Sequence, residues 1–275
     1  MRGCAVIRWL AIGFLTPCVC LAATTRSIAE LTPIATIHVG ATADWVAITR
    51  DSVWVGSTGP NAVHRIDRAR NRMLATVAVP GEPCAGLATG FGSLWIPLCG
   101  DSPGLAKVDL ASNKLVAVFK VAVVEEGSVT TSRDSVWLVV DKSGSLARID
   151  PRSGAVRAIV HVPPGSYNPR YSDGQIWVTR ADGAEVTAVD ARTGAILATA
   201  ASGPNPRFLT AGSGAIWTLN QRDGSLTRID ARSRKATNTI ALGTPGHGGD
   251  IGFGGGTVSR IGLKAALSQC KDTAH

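Results

Sequence analysis

The chain has 275 residues, of which 45% are hydrophobic and 17% charged, and its formal net charge is +8. This composition excludes a disordered chain and supplies enough apolar residues for a sizeable core. Its basic residues are spread along the chain, whereas nucleic-acid binders gather them on one face. We therefore expect no nucleic-acid partner.

Residues 1–23 have the features of a cleavable export signal. Arg2 and Arg8 supply positive charge, residues 9–22 form a short apolar stretch, and small residues follow at the expected cleavage point. We expect a secreted or periplasmic protein with no stable membrane insertion after cleavage and a mature charge of +6. An uncleaved anchor, or a lipid anchor at Cys18, is the alternative.

Most of the remaining chain is a repeat. Five tryptophans follow an aliphatic residue at steps of 41, 42, 40 and 40 residues, and an aliphatic-Asp pair ends 13 or 14 residues after each one. A period near 40 with short alternating segments and turns is typical of a β-propeller blade. The sequence predicts an all-β propeller of four-stranded blades. The two series are Trp54, Trp95, Trp137, Trp177 and Trp217, and Asp67, Asp109, Asp150, Asp190 and Asp230.

The third repeat shows how a blade is divided. Its predicted strands cover residues 127–131, 135–140, 145–150 and 155–162, with a turn between each pair. We expect the large flat tryptophan side chains to fill the space between blades. The repeated aspartates are expected to cap turns by accepting backbone N–H bonds.

Two cysteines in the second repeat are predicted to form a disulfide. Strands at residues 84–88 and 93–99 would form a hairpin that places Cys84 directly opposite Cys99. Opposed residues in an antiparallel pair lie about 4.5 to 5.5 Å apart at Cα, which is within disulfide reach. Cys270 is left without a partner in the mature chain.

The ends of the chain predict how the fold closes. Residues 35–40 match the fourth strand of a repeat, while residues 250–254, 257–261 and a segment from 267 match the first three. We predict a closed six-bladed ring over residues 32–270 and a tail at residues 271–275. Ser259 stands where tryptophan is expected, so a shortened seven-bladed propeller, or a shortened chain without its own function, stays open.

The repeats resemble the YVTN-type propeller repeats over residues 32–270, as in Gly-Ala-Ile-Trp-Thr-Leu-Asn at 214–220 and Leu-Thr-Arg-Ile-Asp-Ala-Arg-Ser at 226–233. A related propeller group contains the streptogramin B lyases, which eliminate at an ester bond of a cyclic depsipeptide with Mg²⁺ bound. The resemblance implies acidic and histidine side chains there, including a Glu-x-His sequence. This chain contains no Glu-x-His.

Candidate site residues follow from the connections between repeats, because propellers bind ligands at the channel mouth where those connections meet. No catalytic spacing, metal motif or nucleotide fingerprint occurs, so catalytic residues stay unassigned. We expect a monomeric, non-catalytic binding module without cofactor, taking a small molecule or a protein; the alternative is a Mg²⁺-dependent C–O lyase. The candidates are Asp44, Glu126, Arg170, Arg207, His247 and Asp250.

Overall fold

The computed structural model describes residues 24–27, 32–242, 245–246, 249–254, 257–262 and 266–271. These residues contain no helix and form six antiparallel sheets, which we number I to VI. Within them, no helix is present that could cross a membrane. The predicted export signal lies outside the described residues, as does all but Lys271 of the predicted tail.

Sheets I to III follow one another along the chain. Sheet I contains β2 (Thr42–Ile48), β3 (Ser52–Thr58), β4 (Ala62–Asp67) and β5 (Arg72–Ala78). Sheet II contains β6 (Glu82–Pro83), β7 (Ala88–Gly90), β8 (Ser93–Cys99), β9 (Gly104–Asp109) and β10 (Lys114–Phe119). Sheet III contains β11 (Val129–Thr131), β12 (Val136–Val139), β13 (Ser145–Ile149) and β14 (Val156–His161).

Sheets IV to VI complete the described fold. Sheet IV contains β15 (Ser166–Ser172), β16 (Gln175–Arg180), β17 (Glu185–Asp190) and β18 (Ile196–Ala201). Sheet V contains β19 (Pro206–Gly212), β20 (Ala215–Asn220), β21 (Ser225–Asp230) and β22 (Lys235–Ala241). Sheet VI contains β23 (Asp250–Gly254), β24 (Thr257–Gly262), β25 (Ala266–Lys271) and β1 (Thr24–Ser27).

The four strands predicted for the third repeat are confirmed to within two residues at each end. The first strand of each sheet contacts the first strand of the next from sheet II to sheet VI, and β3 contacts β6. Because strands alternate in direction, the connections between sheets and the turns after each second strand lie on one side. We call this side the connection face.

The fourth strand of sheet VI is not the predicted one. Residues 35–40 form no strand, and β1 (Thr24–Ser27) pairs with β25 instead, with Thr24 opposite Gln269. Alternation of side chains does not specify which sheet edge a segment joins, and β1 occupies the free edge of β25.

The repeated tryptophans are buried structural residues, as predicted. Trp54, Trp95, Trp137 and Trp177 are 0% exposed and Trp217 is 2% exposed. Each one packs against the aliphatic residues of the next sheet; Trp54, for example, shares a cluster with Leu94, Ile96 and Val108 of sheet II. These clusters form the core between successive sheets.

The repeated aspartates cap turns, also as predicted. Asp150 accepts hydrogen bonds from the backbone N–H groups of Arg152 at 2.7 Å and Ser153 at 2.8 Å. Those bonds hold the pKa of its carboxyl well below the usual range. The equivalent aspartates of the other four repeats make similar bonds, namely Asp67, Asp109, Asp190 and Asp230.

Cys84 and Cys99 form the predicted disulfide, with their Cα atoms 5.7 Å apart. The predicted register is wrong at that point, however. Ala88 lies opposite Trp95 as the hairpin requires, but Cys99 lies opposite Glu82. An irregularity between β6 and β7 shifts the register by two residues, so the disulfide joins residues that are not directly opposed.

One face of sheet I differs from its equivalents. Val46 is 54% exposed and Ile48 is 65% exposed, and Val53 beside them is half-buried. The residues equivalent to Val53 in sheets II to V are 0% exposed, because the tryptophan of the preceding sheet covers them. They are Leu94, Val136, Ile176 and Ile216.

Candidate functional site

Three first strands carry a β-bulge near the connection face. The bulge leaves Trp45 unpaired in β2 and Arg207 unpaired in β19, and in β15 it falls between Ser166 and Pro169. Trp45 has a φ of 56°, which an L-residue adopts only at a cost. A bulge redirects the side chains near it. Here the bulges bring side chains of sheets I, IV and V to one place.

The resulting group, which we call the mouth cluster, consists of Trp45, Glu126, Tyr167, Arg207 and Phe208. The ring centroids of Trp45 and Phe208 are 6.3 Å apart. The Arg207 guanidinium carbon lies 5.3 Å from the centroid of the Tyr167 ring and 5.6 Å from that of Phe208. Both rings are within cation–π distance of the guanidinium.

Arg207 also makes polar contacts in this cluster. Its Nη2 donates to the carboxylate of Glu126 and, at 3.1 Å, to the hydroxyl of Tyr167. The Tyr167 hydroxyl donates in turn to the Glu125 carbonyl at 3.2 Å. Burial, with a smaller contribution from the Glu125 charge, raises the pKa of Tyr167 to about 12. Tyr167 is therefore a neutral donor at physiological pH.

The backbone beneath Arg207 is held in place by sheet IV. Asn168, 3% exposed, donates through Nδ2 to the Arg207 carbonyl at 2.6 Å. Thr179 Oγ1 donates to the same oxygen at 3.1 Å. These bonds satisfy the carbonyl that the bulge removes from the β19 ladder, so the position of Arg207 depends on two sheets.

A second charged group contains Asp44, Arg170 and Asp250. Loss of hydration raises the pKa of the Asp250 carboxyl; the bond it accepts from the Ile251 N–H and the charge of Arg170 oppose that shift, while Asp44 adds to it. Loss of hydration lowers the pKa of Arg170, and Asp250 opposes the change. All three side chains nevertheless reach solvent. They lie on a solvent-accessible surface that has protein on several sides.

The position of Arg170 is unusual among the repeats. Arg170 lies opposite Trp177 across the β15–β16 pair. The residues opposite the other four tryptophans are small, so a long charged side chain here serves no common structural need of the fold. Those residues are Ala47, Ala88, Thr130 and Thr210.

A cavity of about 870 Å³ opens beside the mouth cluster, between sheets III and IV. Val123, Val124 and Pro164 contribute apolar wall, and Tyr167 and Glu126 border it. Its rim carries charges of both signs from the turns after β12 and β16 and from the connection before β11; these residues are Glu125, Asp141, Lys142, Arg180 and Asp182. A cavity of this size can hold a drug-sized molecule.

The structure thus divides the predicted site residues between two groups. Glu126 and Arg207 meet in the mouth cluster, and Asp44, Arg170 and Asp250 form the second group. His247 lies outside the described residues. The aromatic residues of the mouth cluster were not predicted as ligand residues, although Trp45 and Phe208 directly follow the predicted Asp44 and Arg207 in sequence.

The two groups differ in the chemistry that they offer a ligand. The mouth cluster presents aromatic faces and one guanidinium, and the second group presents separate carboxylates beside Arg170. Among the described residues, no group of three His, Cys, Asp or Glu side chains could hold a metal ion.

Comparisons with known proteins identify the fold. No family model matches the sequence, and no curated protein matches it. A catalytically inactive virginiamycin B lyase from Staphylococcus aureus with quinupristin is 16% identical, has a TM-score of 0.69, and the match covers 85% of this chain and 81% of that one. BamB from Moraxella catarrhalis is 10% identical with a TM-score of 0.55, covering 84% and 83%.

The computationally designed protein Ika8 is also similar in structure, at 11% identity and a TM-score of 0.65 over 84% of this chain and 71% of that one. At these identities the likeness concerns the fold. The virginiamycin B lyase and BamB are β-propellers, and the sheets described above have the same architecture. The chain is therefore a β-propeller whose connection face carries a cluster of aromatic and charged side chains.

Proposed function

We propose that this protein is a non-catalytic propeller that binds a small molecule or a protein partner at the mouth of its channel. The observation that carries the proposal is that side chains from three bulged first strands meet in the mouth cluster, where the Arg207 guanidinium lies over the rings of Tyr167 and Phe208. Bulges that redirect side chains to one point occur next to functional sites. Within the described part of the chain, Arg207 makes side-chain hydrogen bonds through Nη2, so its Nη1 and Nε donors remain for an acidic or carbonyl group of the ligand.

The proposal includes a closed six-bladed ring. Trp45 of sheet I contacts Phe208 of sheet V, and the charge of Asp44 in sheet I raises the pKa of Asp250 in sheet VI. Both observations support first strands arranged around a common channel. The YVTN-type character of the repeats belongs to the same proposal. We further propose a monomeric, secreted or periplasmic protein without cofactor or nucleic-acid partner, which the Cys84–Cys99 disulfide supports because such bonds persist in oxidising compartments.

The second candidate function is a C–O lyase acting on a cyclic depsipeptide. The observation favouring it is the structural similarity to virginiamycin B lyase, including the structure with quinupristin. Among the described residues, no cluster of three His, Cys, Asp or Glu side chains could hold the metal such a reaction would use, and we derive no step through it. This candidate is separated from the first by experiment.

Thermal unfolding in the presence of quinupristin, with and without Mg²⁺, distinguishes the two. A ligand that binds only the folded state raises the melting temperature by mass action. A shift that R207M abolishes, with intact quinupristin recovered by chromatography, is the outcome expected if this compound is a ligand of a non-catalytic site. Linearised quinupristin in the presence of Mg²⁺ would instead make the protein a lyase.

If quinupristin causes no shift, selection from a random heptapeptide library tests the peptide and protein class of partner. The immobilised wild-type protein is the target, and R207M serves for counter-selection. We expect enriched peptides whose binding requires Arg207. Failure to enrich any Arg207-dependent sequence, together with the absence of a quinupristin shift, would contradict a binding role for the mouth cluster.

A further inference from the structure

The segment at residues 84–87 leaves the sheet to which its neighbours belong. Pro83 pairs with Leu98, and Ala88 pairs with Trp95. Five residue steps, from Pro83 to Ala88, thus face only three steps of β8, from Leu98 to Trp95. The two extra residues make the segment bulge away from β8. Its backbone groups therefore need partners elsewhere.

Those partners belong to the connection that precedes β11 in sheet III. The Glu126 N–H donates to the Cys84 carbonyl at 2.7 Å, and the Gly86 N–H donates to the Gly127 carbonyl at 2.9 Å. The Val129 N–H donates to the Gly86 carbonyl at 3.1 Å, and Gly86 forms a parallel bridge with Ser128. A Cβ at Gly86 would lie 2.8 Å from that of Ser128, so glycine is required for this approach.

The disulfide fixes the start of this segment. Cys84 is joined to Cys99, the last residue of β8, and its N–H donates to the Pro97 carbonyl at 3.2 Å. The Cys84 carbonyl that receives Glu126 is thereby held against the rigid end of a central strand. Besides the covalent bond, the bulged residues are held by the backbone contacts described above and by the burial of Ala85 and Leu87 in the core.

Glu126 needs such support because its backbone is strained. It has a φ of 56°, in the left-handed region that non-glycine residues adopt only where surrounding contacts impose it. That conformation directs its carboxylate to Arg207. The chain of contacts therefore runs from Cys99 through Cys84 and the Glu126 backbone to the guanidinium in the mouth cluster.

We infer that the Cys84–Cys99 disulfide is a positioning element of the ligand site, which sets Glu126 for its pairing with Arg207 and releases it on reduction. A dithiol such as dithiothreitol donates two electrons and two protons, becomes a cyclic disulfide, and leaves two cysteine thiols. The site would then lose its fixed carboxylate while the sheets keep their cores. The inference rests on the proposed function, since it concerns the same site.

Hydrogen exchange of backbone amides tests the inference without a ligand. In the oxidised protein, we expect the Glu126 and Val129 amides to be protected. After reduction with dithiothreitol, we expect them to exchange at least about tenfold faster, because their acceptors on residues 84 and 86 lose their anchor. The Ala181 amide, which donates to Gly165 in the equivalent part of sheet IV, should exchange at an unchanged rate.

The variant E126Q is the matched control in the oxidised protein. It keeps the backbone donor and removes the charge that Arg207 binds, so the Glu126 and Val129 amides should stay protected. Equal exchange at these amides before and after reduction would overturn the inference. Acceleration of Ala181 to the same degree would overturn it too, because the disulfide would then stabilise the whole fold instead of positioning one connection.

This experiment separates the inference from the proposed function. A protein that binds neither quinupristin nor any library peptide can still show the local change in exchange, in which case only the ligand site fails. A protein that binds a ligand equally well in both redox states, with unchanged exchange, keeps its proposed function and loses the positioning role of the disulfide.

Discussion

Among single residues, Tyr167 is the most direct spectroscopic probe of the mouth cluster, because it is one of only two tyrosines in the chain. Burial raises its pKa to about 12 from the ordinary value of 10.0. The variant Y171F leaves Tyr167 as the sole tyrosine. We expect its tyrosinate absorbance to rise around pH 12, measured by spectrophotometric titration of the folded protein.

The same shift predicts how stability responds to alkali. The folded protein holds the Tyr167 proton more tightly than the unfolded chain does. The contribution of this group is therefore complete below pH 10 and is lost as the pH rises from about 10 to about 12. In Y167F the decline over that interval should be smaller, as measured by chemical denaturation. A Tyr167 that ionises near pH 10, or a Y167F profile identical to wild type, would contradict the assigned environment.

At this scale the sequence predicted part of the mouth cluster. Asp44, Glu126 and Arg207 were candidates because they lie in the connections between repeats, and Glu126 and Arg207 form an ion pair. Phe208 was not predicted, because its place in an alternating strand is the same as that of a core residue. The bulge that displays Arg207 beside it depends on sheet pairing, which local sequence does not show.

At the scale of strands and turns, a repeated basic side chain links sheets I to III, each to the following sheet, by a hydrogen bond. In sheets I to III a basic residue of the third strand lies opposite the tryptophan and over its ring, at 5.3 to 5.6 Å. Each then donates to a backbone carbonyl in a turn of the following sheet, at 2.8 to 3.0 Å. The three pairs are Arg65 with Leu110, Lys107 with Pro151 and Arg148 with Arg192.

Sheet IV makes the same link with different residues. Ala188 lies opposite Trp177, where sheets I, II, III and V have a cation. Gln175 occupies the position of Ser52 and Ser135, and its Nε2 donates to the Ala231 carbonyl of sheet V at 3.1 Å. The equivalent carbonyl is thus satisfied although both residues have changed together. Sheet IV therefore keeps the hydrogen bond to the next turn without the charge that makes it in sheets I to III.

We expect R148A to destabilise the fold by about 1–3 kcal/mol, because it removes a mostly buried guanidinium and leaves the Arg192 carbonyl without this donor. Arg148 also bonds Ser135 Oγ at 2.9 Å and pairs with Asp134. R133A is the control: Arg133 is exposed and makes no hydrogen bond or ion pair within the described residues. Urea unfolding measures both, and equal midpoints for the two variants would contradict a role for the link.

The strands were predicted well within the regular repeats. The third blade matched to within two residues, since turn chemistry and alternation there agree with the pairing. The prediction failed where a segment had the pattern of a strand but another segment took its place. Residues 35–40 alternate as a fourth strand does, yet β1 pairs with β25 instead. The disulfide was found for a partly wrong reason, since its hairpin register changes between Ala88 and Pro83.

For the molecule as a whole, the packing of sheet VI against sheet I determines whether the ring is closed. In sheets II to V the tryptophan of the preceding sheet buries the aliphatic residues of the second strand. In the proposed ring sheet VI would precede sheet I, and Ser259 stands where its tryptophan would be. Its exposed apolar residues, Val46 and Ile48, are covered only if sheet VI packs against them in a closed ring.

Two valines of equal exposure allow this to be tested. Val46 on β2 and Val116 on β10 are each 54% exposed. In a closed ring a carboxylate at position 46 would be trapped between sheets I and VI, whereas one at position 116 stays in water at the outer edge of sheet II. We expect V46D to lower stability by at least about 2 kcal/mol more than V116D, because burying an unpaired charge is costly.

Thermal unfolding and urea midpoints of the two variants provide the measurement. A larger loss for V46D means that sheet VI covers sheet I, so the six sheets share one core and the channel is complete around the mouth cluster. Equal, small losses would mean that the seam between the first and last sheets stays open. The first strands of sheets I and V would then meet through Trp45 and Phe208 alone, and the site would line a cleft instead of a channel.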